Sequence, residues 1–213
     1  MALAEEPLDR VRFGVEATRE VDNDWSSATI GVTHEDADPA KLAARINDDM
    51  RWALAIAKAE KGVEVRTSGY RTHPINDPKR GRIARWRGGQ DLVIESGDPA
   101  VLSKLLGRLQ EKLQLRGIQQ SVSPKLRKQV EDELMAEVVA AYDARADRLA
   151  KLMGAKRHQL IELHLDSPGA PPPVYLQARG RAMAMEADMA PPPIEGGTST
   201  LRMGASVLIA LER

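Results

Sequence analysis

The chain has 213 residues, enough for one substantial domain or two small lobes, and 42% hydrophobic against 29% charged residues is a globular rather than a disordered composition. Its 31 Lys+Arg balance 31 Asp+Glu to a formal net charge of +0, so no overall field steers nucleic acid, and anion binding has to come from a local patch. It contains no cysteine, which excludes disulfides, thiolate metal sites and cysteine nucleophiles but leaves the compartment open; nor does any run approach the roughly 18–20 apolar residues of a membrane helix.

The opening MALAEEP lacks the charged and apolar regions of a leader. Ala2-Leu3-Ala4 is either chance in an Ala-rich chain or the tail of a signal peptide cut before Glu5, so residues 1–7 are expected to be a leader remnant or disordered. Val11, Phe13, Val15 and Ala17 alternate with polar residues as a half-wet strand. Trp25 to His34 is a second strand, after a turn at 21–24. Asp38-Pro39 then provides an N-cap and a proline at the first helical position. The helix Pro39 to Lys61 places Leu42, Ile46, Met50, Ala53 and Ala57 on one face, and Gly62 is expected to end it in a left-handed conformation.

A strand from Val63 to Thr72 follows and contains Thr67-Ser68-Gly69-Tyr70, the most individual tetrapeptide of the chain. The segment 74–78 reads as a turn, and Ile83 to Glu95 as the next strand. Gly97-Asp98-Pro99 repeats the capping device ahead of a helix to Leu113 with Leu102, Leu105, Leu106 and Leu109 inward. Gly117 to Val122 is a short strand. Ser123-Pro124 opens the longest helix, which runs to Gly154 with Val130, Leu134, Val138, Ala141, Tyr142, Leu149 and Leu152 as its apolar stripe. Residues 157–165 form another strand. Residues 166–200 are Pro-, Met- and Ala-rich and read as a mobile arm. A last strand carries Leu201, Met203, Ala205, Val207, Ile209 and Leu211 on one face.

This order predicts an α+β fold. Residues 25–122 give β-α-β-β-α-β, the split βαβ (ferredoxin-like) order, and DPAKLAARI at 38–46 aligns without gaps on DPAVLSKLL at 98–106. The first strand, the long helix and the last two strands make a second layer. Residues 8–213 are therefore expected to be a single domain, divisible into a 25–122 lobe and a second lobe of 8–24 with 123–213.

The candidate chemistry is sparse. His34 lies beside Glu35, Asp36 and Asp38 without the spacing of a calcium loop, and is read as a solvated loop with an N-cap. His158 and His164 fall on one face of one strand, roughly 20 Å apart, too far to share a metal. His73 with Asp77 is a formal acid–base pair, though a turn histidine before Pro74 is the favoured reading. Ser68 is a formal nucleophile, but no base accompanies it and Ser-Gly in a strand more often marks a bulge or close backbone approach. A hydrolytic or acid–base enzyme is therefore the weakest reading. Lys79, Arg80, Arg82, Arg85 and Arg87 with Trp86 form a basic hairpin. It is either an anion-binding surface for phosphates or acidic headgroups, or a charged edge that resists edge-to-edge pairing. Met183, Met185 and Met189 offer soft ligands or an adaptable greasy contact, but read more readily as loop residues that pack on a neighbouring subunit or stay mobile. No cofactor and no metal are expected.

Several features taken together resemble the SIMPL-domain family: the capped helix with Asn47 and Met50, Gly62, and TSGY followed by a proline. Ser123-Pro124, the helix ending in LAKLMGA, RHQLIELHL, the Met/Pro-rich arm, APPPIEGG and the final apolar strand continue the likeness. It runs from about Val11 to Leu211. The resemblance implies an exported bacterial protein of the periplasm or outer-membrane periphery, so that Ala2-Leu3-Ala4 reads as a cleavage site. It also implies homo-oligomers, ring- or channel-like in some members, and links to envelope or oxidative stress. It carries no catalytic residues, which leaves Thr67, Ser68, Gly69 and Tyr70 as a structural signature. Where relatives have a strand containing tyrosine and asparagine after the proline turn, this chain has ARWRGGQDL. The function implied is non-enzymatic, through homo-oligomeric assembly or binding of an envelope component, with anion or ligand binding at 79–87 as the alternative.

Overall fold

A computed structural model describes residues 9–79, 81–166 and 196–212. The expected arm 166–200, with Met183, Met185 and Met189, therefore lies almost wholly outside the described residues, as do residues 1–7 and Arg80. The fold is α+β. Its elements are β1 (Asp9–Asp22), β2 (Trp25–Asp36), α1 (Pro39–Ala59), β3 (Glu64–Asn76), β4 (Ile83–Ser96), α2 (Pro99–Leu109), β5 (Gln114–Ser121), α3 (Pro124–Leu152), β6 (Arg157–Asp166) and β7 (Thr198–Glu212). They fall into two compact units, one built on 22–123 and one on β1, α3, β6 and β7.

In the first unit the strand order is β3-β4-β2-β5, with the described ladders antiparallel. This is the arrangement that the split βαβ order dictates. The two helices start alike. The Asp38 carboxylate accepts the Ala40 N–H at 2.8 Å, and Asp98 accepts those of Ala100 at 2.9 Å and Val101 at 3.2 Å. Each satisfies donors that a helix start leaves unpaired. Alternation on the strands and helical spacing on α1 and α2 then bring Ala28, Ile30, Leu92 and Ile94 against Leu42, Ile46, Leu102, Leu105, Leu106 and Leu109. Full burial of each large side chain among them contributes about 1.5–3 kcal/mol.

Partly buried hydrogen bonds join the ends of this unit. Ser96 Oγ donates to the Gly62 carbonyl at 2.8 Å and accepts from the Asp98 N–H at 3.0 Å, connecting the exit from α1 to the entry of α2. Asp24 receives both the Ser123 N–H at 2.6 Å and its hydroxyl at 2.7 Å, joining the point where the chain enters the unit to the point where it leaves.

In the second unit the order is β1-β7-β6. α3 buries Val130, Leu134, Val138, Ala146 and Ala150 on the side where β7 presents Leu201, Met203, Ala205, Val207, Ile209 and Leu211. Arg19 of β1 forms ion pairs with Glu133 and Glu137 of α3. Arg145 donates to the Gly14 carbonyl at 3.0 Å, with its guanidinium 5.8 Å from the centre of the Phe13 ring.

Several boundaries depart from the sequence reading. α1 stops at Ala59, with Glu60 extended, and Gly62 takes its positive φ of 80° in the turn beyond. α2 stops at Leu109, and β5 begins at Gln114 rather than Gly117. β3 continues to Asn76 through the expected turn, because β3 is an edge strand, where a proline without an N–H is tolerated. Leu152, placed on the buried stripe of α3, is 76% exposed.

Candidate functional site

The basic hairpin is partly neutralised from within. β2 and β4 pair Glu35 opposite Arg87, and the Glu35 carboxylate accepts from Arg87 Nε at 2.7 Å and Arg85 Nη1 at 3.2 Å. These bonds, Arg87 first, hold the Glu35 carboxyl below its ordinary value. Trp86 is half-buried and packs on the rim of the hydrophobic core. Asp77 organises the turn. Its N–H donates to the Arg82 carbonyl at 2.8 Å, and its carboxylate accepts the Lys79 N–H at 2.8 Å. Among the described residues, Lys79 and Arg82 enter no ion pair.

The acidic run around His34 separates into different tasks. His34 Nε2 lies 2.7 Å from Asp49 Oδ2 on α1, Asp36 accepts the Asp38 N–H at 2.9 Å, and Asp38 caps α1. No group of three His, Asp or Glu side chains that could hold a metal occurs among the described residues. The two histidines of β6 require a correction. Pairing with β7 shifts register between Leu160 and Glu162, so the strand inserts one residue and its alternation inverts. His158 pairs with Leu211 and lies on the α3 side, its ring 3.5 Å from Asp147 and 3.8 Å from Asp143 and edge-on to Tyr142. His164 pairs with Ser206 on the other face. Burial, then the Asp143 and Asp147 charges, push the Tyr142 phenol up.

The TSGY signature is a bulge. Ser68 pairs with Asp91 and Arg71 with Gly89, so Gly69 and Tyr70 together face the one residue Gln90. Gly69 holds a φ of 58°, which side chains other than glycine rarely adopt. The bulge sets Arg71 against Asp91, with Nη2 3.0 Å from Oδ2. On the far edge a second register shift leaves Arg116 as the extra residue of β5, between Gly117 opposite Thr29 and Leu115 opposite Ile30. Its Nε approaches Asp91 Oδ1 to 3.6 Å and its Nη2 donates to Thr33 Oγ1 at 2.7 Å. Asp91 is only 8% exposed. Sequence reading missed this cluster. Its one visible trace was Gly89, which leaves β4 without a side chain next to Asp91 on that face.

The second unit leaves apolar surface uncovered. Met135 and Val139 on α3, Met153 just past its end, and Leu160 and Ile161 on β6 are exposed. Met135, Ala136, Val139, Ala140 and Tyr142 line a shallow groove bordered by Asp132 and Asp143.

A split βαβ unit followed by a helix-backed three-stranded sheet, with the TSGY bulge at the edge of the first, defines an α+β domain of the kind the sequence resembled. The model of the family described as SIMPL, protein of unknown function (DUF541), matches residues 11–209. The chain belongs to the SIMPL family. No curated protein matches it. Among solved structures it is similar to the crystal structure of an unknown protein from Galdieria sulphuraria, at 12% identity and a TM-score of 0.23, over 88% of this chain and 83% of that one. So low a score supports no conclusion. No helix among the described residues is long and apolar enough to cross a membrane.

Proposed function

We propose that this chain is a non-enzymatic exported envelope protein, linked to stress, that works through homo-oligomeric assembly or by binding an envelope component. The observation that carries this reading is the apolar surface of the second unit. Met135, Val139, Leu160 and Ile161 are each between 39% and 44% exposed, and exposed apolar patches mark interaction surfaces. The envelope location and the link to stress rest on the family resemblance.

Light scattering on the purified chain at micromolar concentrations tests the assembly. A mass several times that of the chain is expected. Met135→Glu with Val139→Glu is expected to shift it towards the single-chain mass while far-UV circular dichroism stays unchanged. A single-chain mass at every concentration would overturn assembly.

A further inference from the structure

The helices cover one side of the β3-β4-β2-β5 sheet. The opposite side carries Asp91, a buried carboxylate whose Oδ2 lies 3.0 Å from Arg71 Nη2. Its Oδ1 accepts no hydrogen bond among the described residues, with Arg116 Nε 3.6 Å away. A buried carboxylate is costly unless paired, and one guanidinium neutralises it. Asp91 has two, Arg71 and Arg116, which leaves a local charge of one positive unit.

Both arginines are delivered by bulges, one from each edge strand. Bulges re-aim side chains and are enriched beside functional sites. Without the extra residue in β3, Tyr70 would stand where Arg71 does. The floor between the two arginines is glycine. A Cβ on Gly31 would lie 2.1 Å from Asp91 Oδ1, and one on Gly89 2.5 Å from the Val32 carbonyl.

The donors are unequally committed. Arg116 uses Nη1 on Gln114 at 2.9 Å, Nη2 on Thr33 and Nε towards Asp91. Arg71 donates one N–H to the Gly69 carbonyl at 3.2 Å and forms an ion pair with Asp91, and its side chain is 55% exposed. A guanidinium presents five N–H donors in a planar fork suited to carboxylate and phosphate. We propose that Arg71, oriented by Asp91 and the Gly69 carbonyl and backed by Arg116, binds an oxyanion, the carboxylate or phosphate group of a ligand. Asp91 is the positioning residue. This site is separate from the apolar surface of the second unit, and its test is independent of assembly.

The experiment is a titration of the full chain with inorganic phosphate, and separately with acetate, at constant ionic strength, followed by the arginine Nε–H and backbone amide resonances. Saturable shifts are expected at Arg71, at Ser68 and Gly69, and at Gly89 and Asp91, with a Kd of about 1–10 mM for a free ion. The anion that binds more tightly identifies the ligand class. Arg71→Gln is expected to weaken binding at least about tenfold, Arg71→Lys to weaken it less, and Arg82→Gln in the hairpin to leave it unchanged. Shifts that never saturate, shifts centred on the hairpin, or equal affinity in Arg71→Gln would overturn the proposal. If Arg71→Gln does not fold, the location of the shifts in the unaltered chain decides.

Discussion

Glu35 shows how single residues carry the surface electrostatics of this molecule. Its carboxyl is depressed by bonds from Arg87 and then Arg85, so the folded state holds the proton less tightly than the unfolded chain. A carboxyl depressed in this way stabilises the fold above its unfolded pKa, and the contribution is lost as pH falls through the folded one. The group is partly exposed, which keeps the effect small. A carbon-detected titration of Glu35 is expected to show a midpoint below that of ordinary glutamates, returning upward in the Arg85→Gln, Arg87→Gln double variant. An unchanged midpoint would refute the pairing. The arginines were legible as a basic run because they are close in sequence. Their acceptor was not, because Glu35 lies 50 and 52 positions away and only the β2–β4 register brings it opposite. The same holds for Asp91 with Arg71 and Arg116.

At the scale of elements, strands and helices were readable wherever period and caps coincide. The two Asp-Pro helix starts and the leucines of α2 are where the spacing put them, because local hydrogen bonds and side-chain periodicity decide them. Register shifts were not readable. The bulge in β6 reversed the facing of His164, the bulge in β5 moved Arg116 to the Asp91 side, and nothing in a single strand announces which residue its neighbour will skip. TSGY is the partial exception, since a Ser-Gly step inside a strand was expected to mark either a bulge or a close backbone approach. Its glycine can be tested. Gly69→Ala forces a Cβ into the left-handed region, where it also meets Arg71 Nη1 at 3.0 Å, and is expected to cost about 1–2 kcal/mol in urea denaturation. A loss below about 0.3 kcal/mol would mean that the bulge relaxes without penalty.

For the whole molecule, the first unit holds its hydrophobic cluster entirely within one continuous stretch, Ala28 to Leu113. Asp24 and Ser123 close its ends with hydrogen bonds. Residues 22–123 expressed alone are therefore expected to give a single cooperative urea transition with native-like circular dichroism. A non-cooperative transition would show that the stretch depends on the remainder. The element order of the first unit was visible in the sequence because β-α-β-β-α-β is self-contained. The apolar flank of α3 was not, since Met135 and Val139 sit one position after the buried Leu134 and Val138 and read equally well as core.

The strand order β1-β7-β6 has a consequence for how the chain is made. β7 is the middle strand of its sheet, yet it follows every other element in sequence. As the chain leaves the ribosome, the first unit has all of its strands by Ser121, whereas β1 and β6 wait for the strand that pairs with both. Closing a connection as long as that from β1 to β7 is entropically slow, and until it closes, two unpaired strand edges and the inner face of α3 face water. Any factor that holds the chain before completion would therefore find its binding sequence in Asp9–Asp22 and Arg157–Asp166 rather than in the early-formed first unit.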